Sequence, residues 1–61
     1  MNDKLREILL ERRIAQKELA EAAGVSESFI SHVINGKKMP SVLVLKRVAD
    51  YLHVTVDELI D

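Results

Sequence analysis

Apolar residues recur along the chain at helical spacing, and each run closes on a residue suited to ending a helix. Leu5, Ile8 and Leu9 stand at i, i+3 and i+4 and predict a first helix, from a cap at Asn2 or Asp3 to about Arg13. Gln16 to Ala23 is rich in strong helix formers, with Leu19, Ala20 and Ala23 on one face. Gly24 follows where a helix ends in a left-handed conformation that only glycine adopts without steric cost. Ser26 then caps a third helix from about Glu27 to Ile34, with Ile30, Val33 and Ile34 on its apolar side. Glu27, Ser28, Ser31 and His32 fall together on the other side.

The next stretch, Asn35-Gly36-Lys37-Lys38-Met39-Pro40-Ser41, reads as a loop that ends on a cap. A fourth helix is predicted over roughly Val42 to Leu52, with Val42, Leu45, Val48, Ala49 and Leu52 facing inward and His53 ending it. Thr55-Val56-Asp57-Glu58 forms a capping box, so a short fifth helix turns Val56 and Leu59 toward the core. The alternation from Val42 to Leu45 is too short for a strand. The expected fold is all α: a compact bundle of five short helices in a single domain over residues 1–61, with a helix-turn-helix at about 16–35. No internal repeat, low-complexity segment or linker interrupts it.

The stretch from Gln16 to Gly36 organises the rest. Two helices set at an angle by a short glycine-containing turn, the second with an outer face of short polar side chains, have the form of a DNA-binding helix-turn-helix. The alanines at 20, 22 and 23 fit the close crossing that such a pair needs. An ordinary helical hairpin fits these residues equally well, so the flanking segments have to decide.

Composition narrows the setting. A chain of 61 residues buries only about 60% of the surface its unfolded form exposes. It has no cysteine, which leaves helix packing as the source of stability and agrees with a reducing, cytoplasmic location. The first residues are acidic where a signal peptide would be basic, and no apolar run reaches the roughly 18 residues of a membrane span, so no membrane partner is expected.

Net charge is −1 with a pI near 6.1, whereas a nucleic-acid binder is expected to be basic. Distribution answers part of this objection. Arg12, Arg13 and Lys17 lie around the start of the second helix and Lys37 with Lys38 directly after the third, while Asp50, Asp57, Glu58 and Asp61 collect near the end. Arg12 and Arg13 have two roles open, compensation of the first helix's dipole and contact with phosphate. Long-range attraction to DNA should be weak for such a chain.

With these helices in this order, the sequence resembles the Cro and lambda-type repressor helix-turn-helix family, also called the XRE family, over nearly its whole length. Gln16-Lys17-Glu18-Leu19-Ala20 is similar to the family's opening of helix 2, and Gly24-Val25-Ser26 to its turn. Asn35-Gly36-Lys37 with Pro40-Ser41 is similar to the loop after the recognition helix, and Leu52 through Leu59 to the family's ending. Each motif is weak alone, and their joint spacing is strong. The resemblance implies a sequence-specific DNA-binding regulator, a repressor acting as a homodimer on a two-fold related operator, with no cofactor or metal.

Carried over by position, Gln16 would bond a phosphate, and Glu27, Ser28 and His32 would reach base edges, with Ser31 at the margin of that face. Asn35, Lys37 and Lys38 would meet the backbone on the far side of the groove, and Arg13 and Lys17 are further phosphate candidates. Glu27 can accept from cytosine's amino group, or simply favour the helix dipole from the first turn. His32 can donate to guanine N7 or O6, and an imidazole there would make binding pH-sensitive. Short polar residues without Arg, Gln or Asn before Asn35 predict modest intrinsic specificity.

Two departures from the family stand out. Many members pair an arginine on helix 1 with a glutamate at the end of helix 3; the matching positions here are Leu9 and Ile34, expected to pack on each other. Exchanging both charges together can be neutral or stabilising. Ala15 occupies the usual Ser or Thr cap of helix 2, which should weaken that helix by about 1 kcal/mol.

Leu10, Leu43, Val44, Tyr51 and Ile60 are apolar where the core does not need them. They are either scattered exposed residues or a dimer or partner surface, formed chiefly by Leu43, Val44, Tyr51 and Ile60. A protein partner, or a C-terminal domain beyond residue 61, is a further possibility. An enzyme is the least fitting class: the only histidines are His32 and His53, and a helix break separates His53 from Asp57. The rival reading is a protein-interaction module or antitoxin-type regulator that keeps the fold with weak or no DNA binding.

Overall fold

The computed structural model describes the backbone of residues 2–60 and the side chains of residues 4–60. Helices α1 (Asn2–Arg12), α2 (Gln16–Ala23), α3 (Glu27–Ile34), α4 (Val42–Leu52) and α5 (Val56–Ile60) follow one another, and no strand occurs among the described residues. The all-α expectation holds. The cap foreseen at Asn2 or Asp3 concerns side chains outside the described residues.

Local chemistry explains where the helices start and stop. The Ser26 hydroxyl accepts from the Phe29 amide at 3.0 Å and Ser41 from the Val44 amide at 3.2 Å, each supplying a partner to an otherwise orphaned donor. Ala15, at the N-cap of α2, makes no such bond. Helix α1 ends at Arg12 and not Arg13, which turns into left-handed backbone at φ +56°. His53 closes α4 in the same way at φ +58°. The capping box is half formed as expected: the Glu58 amide donates to Thr55 Oγ1 at 3.2 Å, but the Glu58 carboxylate accepts from the Thr55 hydroxyl at 3.3 Å instead of from the backbone.

The five largest fully buried side chains, Leu5, Leu19, Ile30, Leu52 and Leu59, come one from each helix. Burying each is worth about 1.5–3 kcal/mol, so no helix can leave without losing its share of one common core. Helix α2 packs on α3 and α4, while α1 lies across α3 and α5. The buried positions foreseen on α1, α2 and α3 are all buried, as are Leu45, Val48, Ala49 and Leu52 on α4.

Three expectations about apolar residues need correction. Val42 is 82% exposed: as the first residue after the Ser41 cap it lies at the very start of α4 and stays outside the core. Ala22 is exposed, so Ala20 and Ala23 alone provide the small side chains at the α2 crossing. Val44 packs partly buried against the core and is not a free surface residue. Leu10, Leu43 and Ile60 are exposed as foreseen, and Met39 joins them.

Long polar side chains cross between helices and fix their ends. Arg12 donates through Nη1 to the Leu52 carbonyl at the end of α4. Arg47 donates through Nη1 to the Ala23 carbonyl at the end of α2, at 3.4 Å. Tyr51 donates its hydroxyl to the Glu18 carboxylate, joining α4 to α2. That bond favours the protonated phenol, and with burial and the carboxylate's charge it pushes the Tyr51 pKa up.

Candidate nucleic-acid interface

Helices α2 and α3 owe their relative setting to Gly24. With φ at +75°, the glycine turns its own amide to the Glu21 carbonyl at 3.3 Å and lets the Val25 amide reach Ala20 at 3.0 Å. These two bonds satisfy the last carbonyls of α2 and aim the chain into the Ser26 cap. A Cβ at this position would also lie 3.0 Å from Arg47 Nη1.

With Ile30, Val33 and Ile34 in the core, α3 presents Glu27 and Ser28 exposed and Ser31 and His32 half-buried. The face is shallow, polar and short-chained. Past its end, the amides of Lys37 and Lys38 both donate to the His32 carbonyl, at 2.8 and 3.3 Å, and Gly36 makes this tight fold with φ +77°. The two lysine side chains are thereby held exposed within one turn of His32. Lys38 Nζ lies 5.9 Å from the centre of the Phe29 ring. Phe29, outside both the expected core and the expected polar face, sits half-buried against the core and offers its ring to that cation.

On the α2 side, Gln16 is half-buried while Lys17 and Arg13 are exposed. Gln16 and Asn35 were expected at opposite margins of the groove. They line a single cavity of about 340 Å³ together with Arg6, over an apolar floor that includes Leu9, Ile14 and Ile34. Leu9 and Ile34, the positions where many family members carry an ion pair, are both buried and both line this cavity.

Arg6 is the residue sequence reasoning missed. Its Nη2 donates to Asn35 Oδ1 at 3.1 Å and to the Ile34 carbonyl at 3.4 Å. The available signal was an arginine on the first helix one turn before Leu9, on the same side, able to bring a cation to the end of α3 from a different register. Arg12, for which helix-dipole compensation and phosphate contact were both open, donates through its guanidinium to the Leu52 carbonyl.

Among the described residues no group of three or more His, Cys, Asp or Glu side chains could hold a metal ion. No helix among them is long and apolar enough to cross a membrane.

A family model described as Helix-turn-helix matches residues 5–59, nearly the whole chain. The chain belongs to the XRE/lambda-repressor-like helix-turn-helix family. It is 36% identical over 59 residues to the HTH-type transcriptional activator BcrR of Enterococcus faecalis, covering 97% of this chain and 29% of that protein. It is 33% identical over 49 residues to the ImmF control region 10 kDa protein of Bacillus phage phi105, covering 80% and 54% respectively. The uncharacterized HTH-type transcriptional regulator YazB of Bacillus subtilis strain 168 is 34% identical over 44 residues, covering 72% and 64%. The chain therefore spans less than two thirds of each of these relatives. No solved structure matches it. Its fold is that of the helix-turn-helix domains with which transcriptional regulators bind DNA.

Proposed function

We propose that the protein is a sequence-specific transcriptional regulator, a single domain that inserts α3 into the major groove of a two-fold related operator as a homodimer. The observation that carries this reading is the outward face of α3. Glu27 and Ser28 are exposed on it and Ser31 and His32 half-buried, with the exposed Lys37 and Lys38 directly after the helix and the half-buried Gln16 and exposed Lys17 at the start of α2. A groove about 12 Å wide admits a helix with such short side chains, and the flanking donors and cations are what phosphates require. Ser28 and His32 read bases, Ser31 contributes at the margin, and Glu27 either accepts from cytosine or supports the helix dipole. Gln16, Lys17, Asn35, Lys37, Lys38 and Arg13 meet the backbone.

Few strong base readers on one face mean that selectivity comes from two copies spaced about one helical turn, roughly 34 Å. The exposed Leu43 and Ile60 support a self-association surface, with Tyr51 at its edge. We further propose repression as the sense of regulation, although BcrR carries the name of an activator.

Selection of bound duplexes from random DNA tests the reading. It should return a site with two-fold related halves, and transcription from a promoter overlapping that site should fall when the protein is added. In the same assay Ser28→Ala and His32→Ala should change base preference, while Lys37→Ala should weaken all sequences alike. Recovery of no enriched duplex, with affinity for none at low salt, would leave the protein-interaction or antitoxin-type reading standing.

A further inference from the structure

Phe29 stands apart from the other apolar residues of α3. Ile30, Val33 and Ile34 are 1–3% exposed, whereas Phe29 stays half-buried. Its backbone is fixed by the Ser26 hydroxyl, which accepts the Phe29 amide at 3.0 Å. Helical geometry then sets Phe29 about 60° around the axis from His32 and about 100° from Ser28, so the ring flanks the polar face instead of opposing it. Part of the ring packs on the core, and the Lys38 ammonium lies 5.9 Å from its centre. Glu27, Ser28, Ser31 and His32 can match donors and acceptors on base edges, but none of them offers apolar surface. In the major groove thymine differs from cytosine by its 5-methyl group as well as by its oxygen, and an apolar side chain is what recognises that methyl.

We propose that Phe29 is a specificity-determining residue, its ring receiving the 5-methyl group of a thymine at the margin of the reading face. This rests on the major-groove reading of α3 and names a base that the polar residues leave open. Lys38 is exposed and has a flexible stem, so a phosphate can draw its ammonium off the ring as the complex forms. The apolar surface bared in this way is then buried together with the methyl. Phe29 thus discriminates by shape and hydrophobicity where Ser28 and His32 discriminate by hydrogen bonding.

The test removes the methyl group alone. In a duplex recovered by selection, the thymines are replaced one at a time by deoxyuridine, and affinity is measured for the wild type and Phe29→Ala, with the unfolding midpoint of each recorded. One thymine in each half-site should cost the wild type about fourfold on replacement, the equivalent of one buried methylene. Phe29→Ala should lose nothing at that position. A second measurement needs no variant: 5-iododeoxyuridine at the same position, its iodine in place of the methyl, should couple to Phe29 of the wild type on irradiation. A bound duplex with no such thymine, a loss that persists in a folded Phe29→Ala, or coupling to other residues only would overturn the proposal alone and leave the ring a packing element. A wild type that binds no duplex at all would overturn it together with the major-groove reading beneath it.

Discussion

Arg12 and Leu52, forty positions apart, are joined by a hydrogen bond from the guanidinium Nη1 to the main-chain carbonyl. The bond runs from the last turn of α1 to the last residue of α4, where the carbonyls of α4 have no helical partner. A cation there satisfies one of them and faces the negative end of the α4 dipole. Arg12→Met keeps the aliphatic stem and removes the donor, and should lower stability by about 1 kcal/mol in urea unfolding. The salt dependence of DNA binding should not change, which separates this arginine from those that face phosphate.

Leu9 and Ile34, 5% and 3% exposed, replace a charged pair with an apolar one. Introducing one charge alone leaves it without a partner in a buried place, so Leu9→Arg should cost about 3 kcal/mol. Adding Ile34→Glu in the same chain should restore most of that loss, because the pair would then compensate each other. Thermal or urea unfolding of the two single variants and the double variant measures the coupling. An unchanged midpoint in Leu9→Arg alone would show that the two side chains do not depend on each other.

Tyr51 provides a pH test whose sign follows from its hydrogen bond. The folded state raises its pKa above the ordinary 10.0, first through the bond to Glu18, then through burial and the carboxylate's charge. Folding therefore favours the neutral phenol. This contribution is fully present below the unfolded pKa and is lost as pH rises through the folded one. Stability should thus show an alkaline decline above about pH 10, and Tyr51→Phe should flatten that part of the profile. Near pH 7, Tyr51→Phe and Glu18→Gln should each have a small effect, as expected for an exposed pair.

The elements were legible because their ends are written locally. Ser26, Gly24, Ser41 and His53 act on amides and carbonyls within a few residues, so α2, α3 and α4 begin and end where the pattern placed them. Periodicity also identified nearly all of the core, since a side chain's face on a helix follows from spacing alone. Val42 escaped because spacing gives a direction and not whether another helix lies there. Arg6, Arg12 and Arg47 escaped for a related reason: each reaches a carbonyl from another part of the chain, and such reach depends on how helices cross. In the candidate site, the polar face of α3 was visible from the sequence. The shared cavity of Gln16 and Asn35 was not, because it exists only once α1 is docked.

The start of α2 offers the cleanest gain of stability. Ala15 has the extended backbone of an N-cap, φ −76° and ψ 149°, yet contributes no side-chain acceptor, while Ser26 and Ser41 in similar backbone each accept an amide three residues on. A hydroxyl at position 15 would lie in the same relation to the amide of Glu18. Ala15→Ser should therefore raise stability by about 1 kcal/mol, and Ser26→Ala should lower it by a similar amount. Because Gln16 is the next residue, firmer fixing of this turn should also hold its side chain at the cavity and slow dissociation from DNA. Urea unfolding measures the first effect and duplex dissociation rates the second. A stabilised Ala15→Ser with an unaltered dissociation rate would mean that the position of Gln16 is already set by its packing in the cavity.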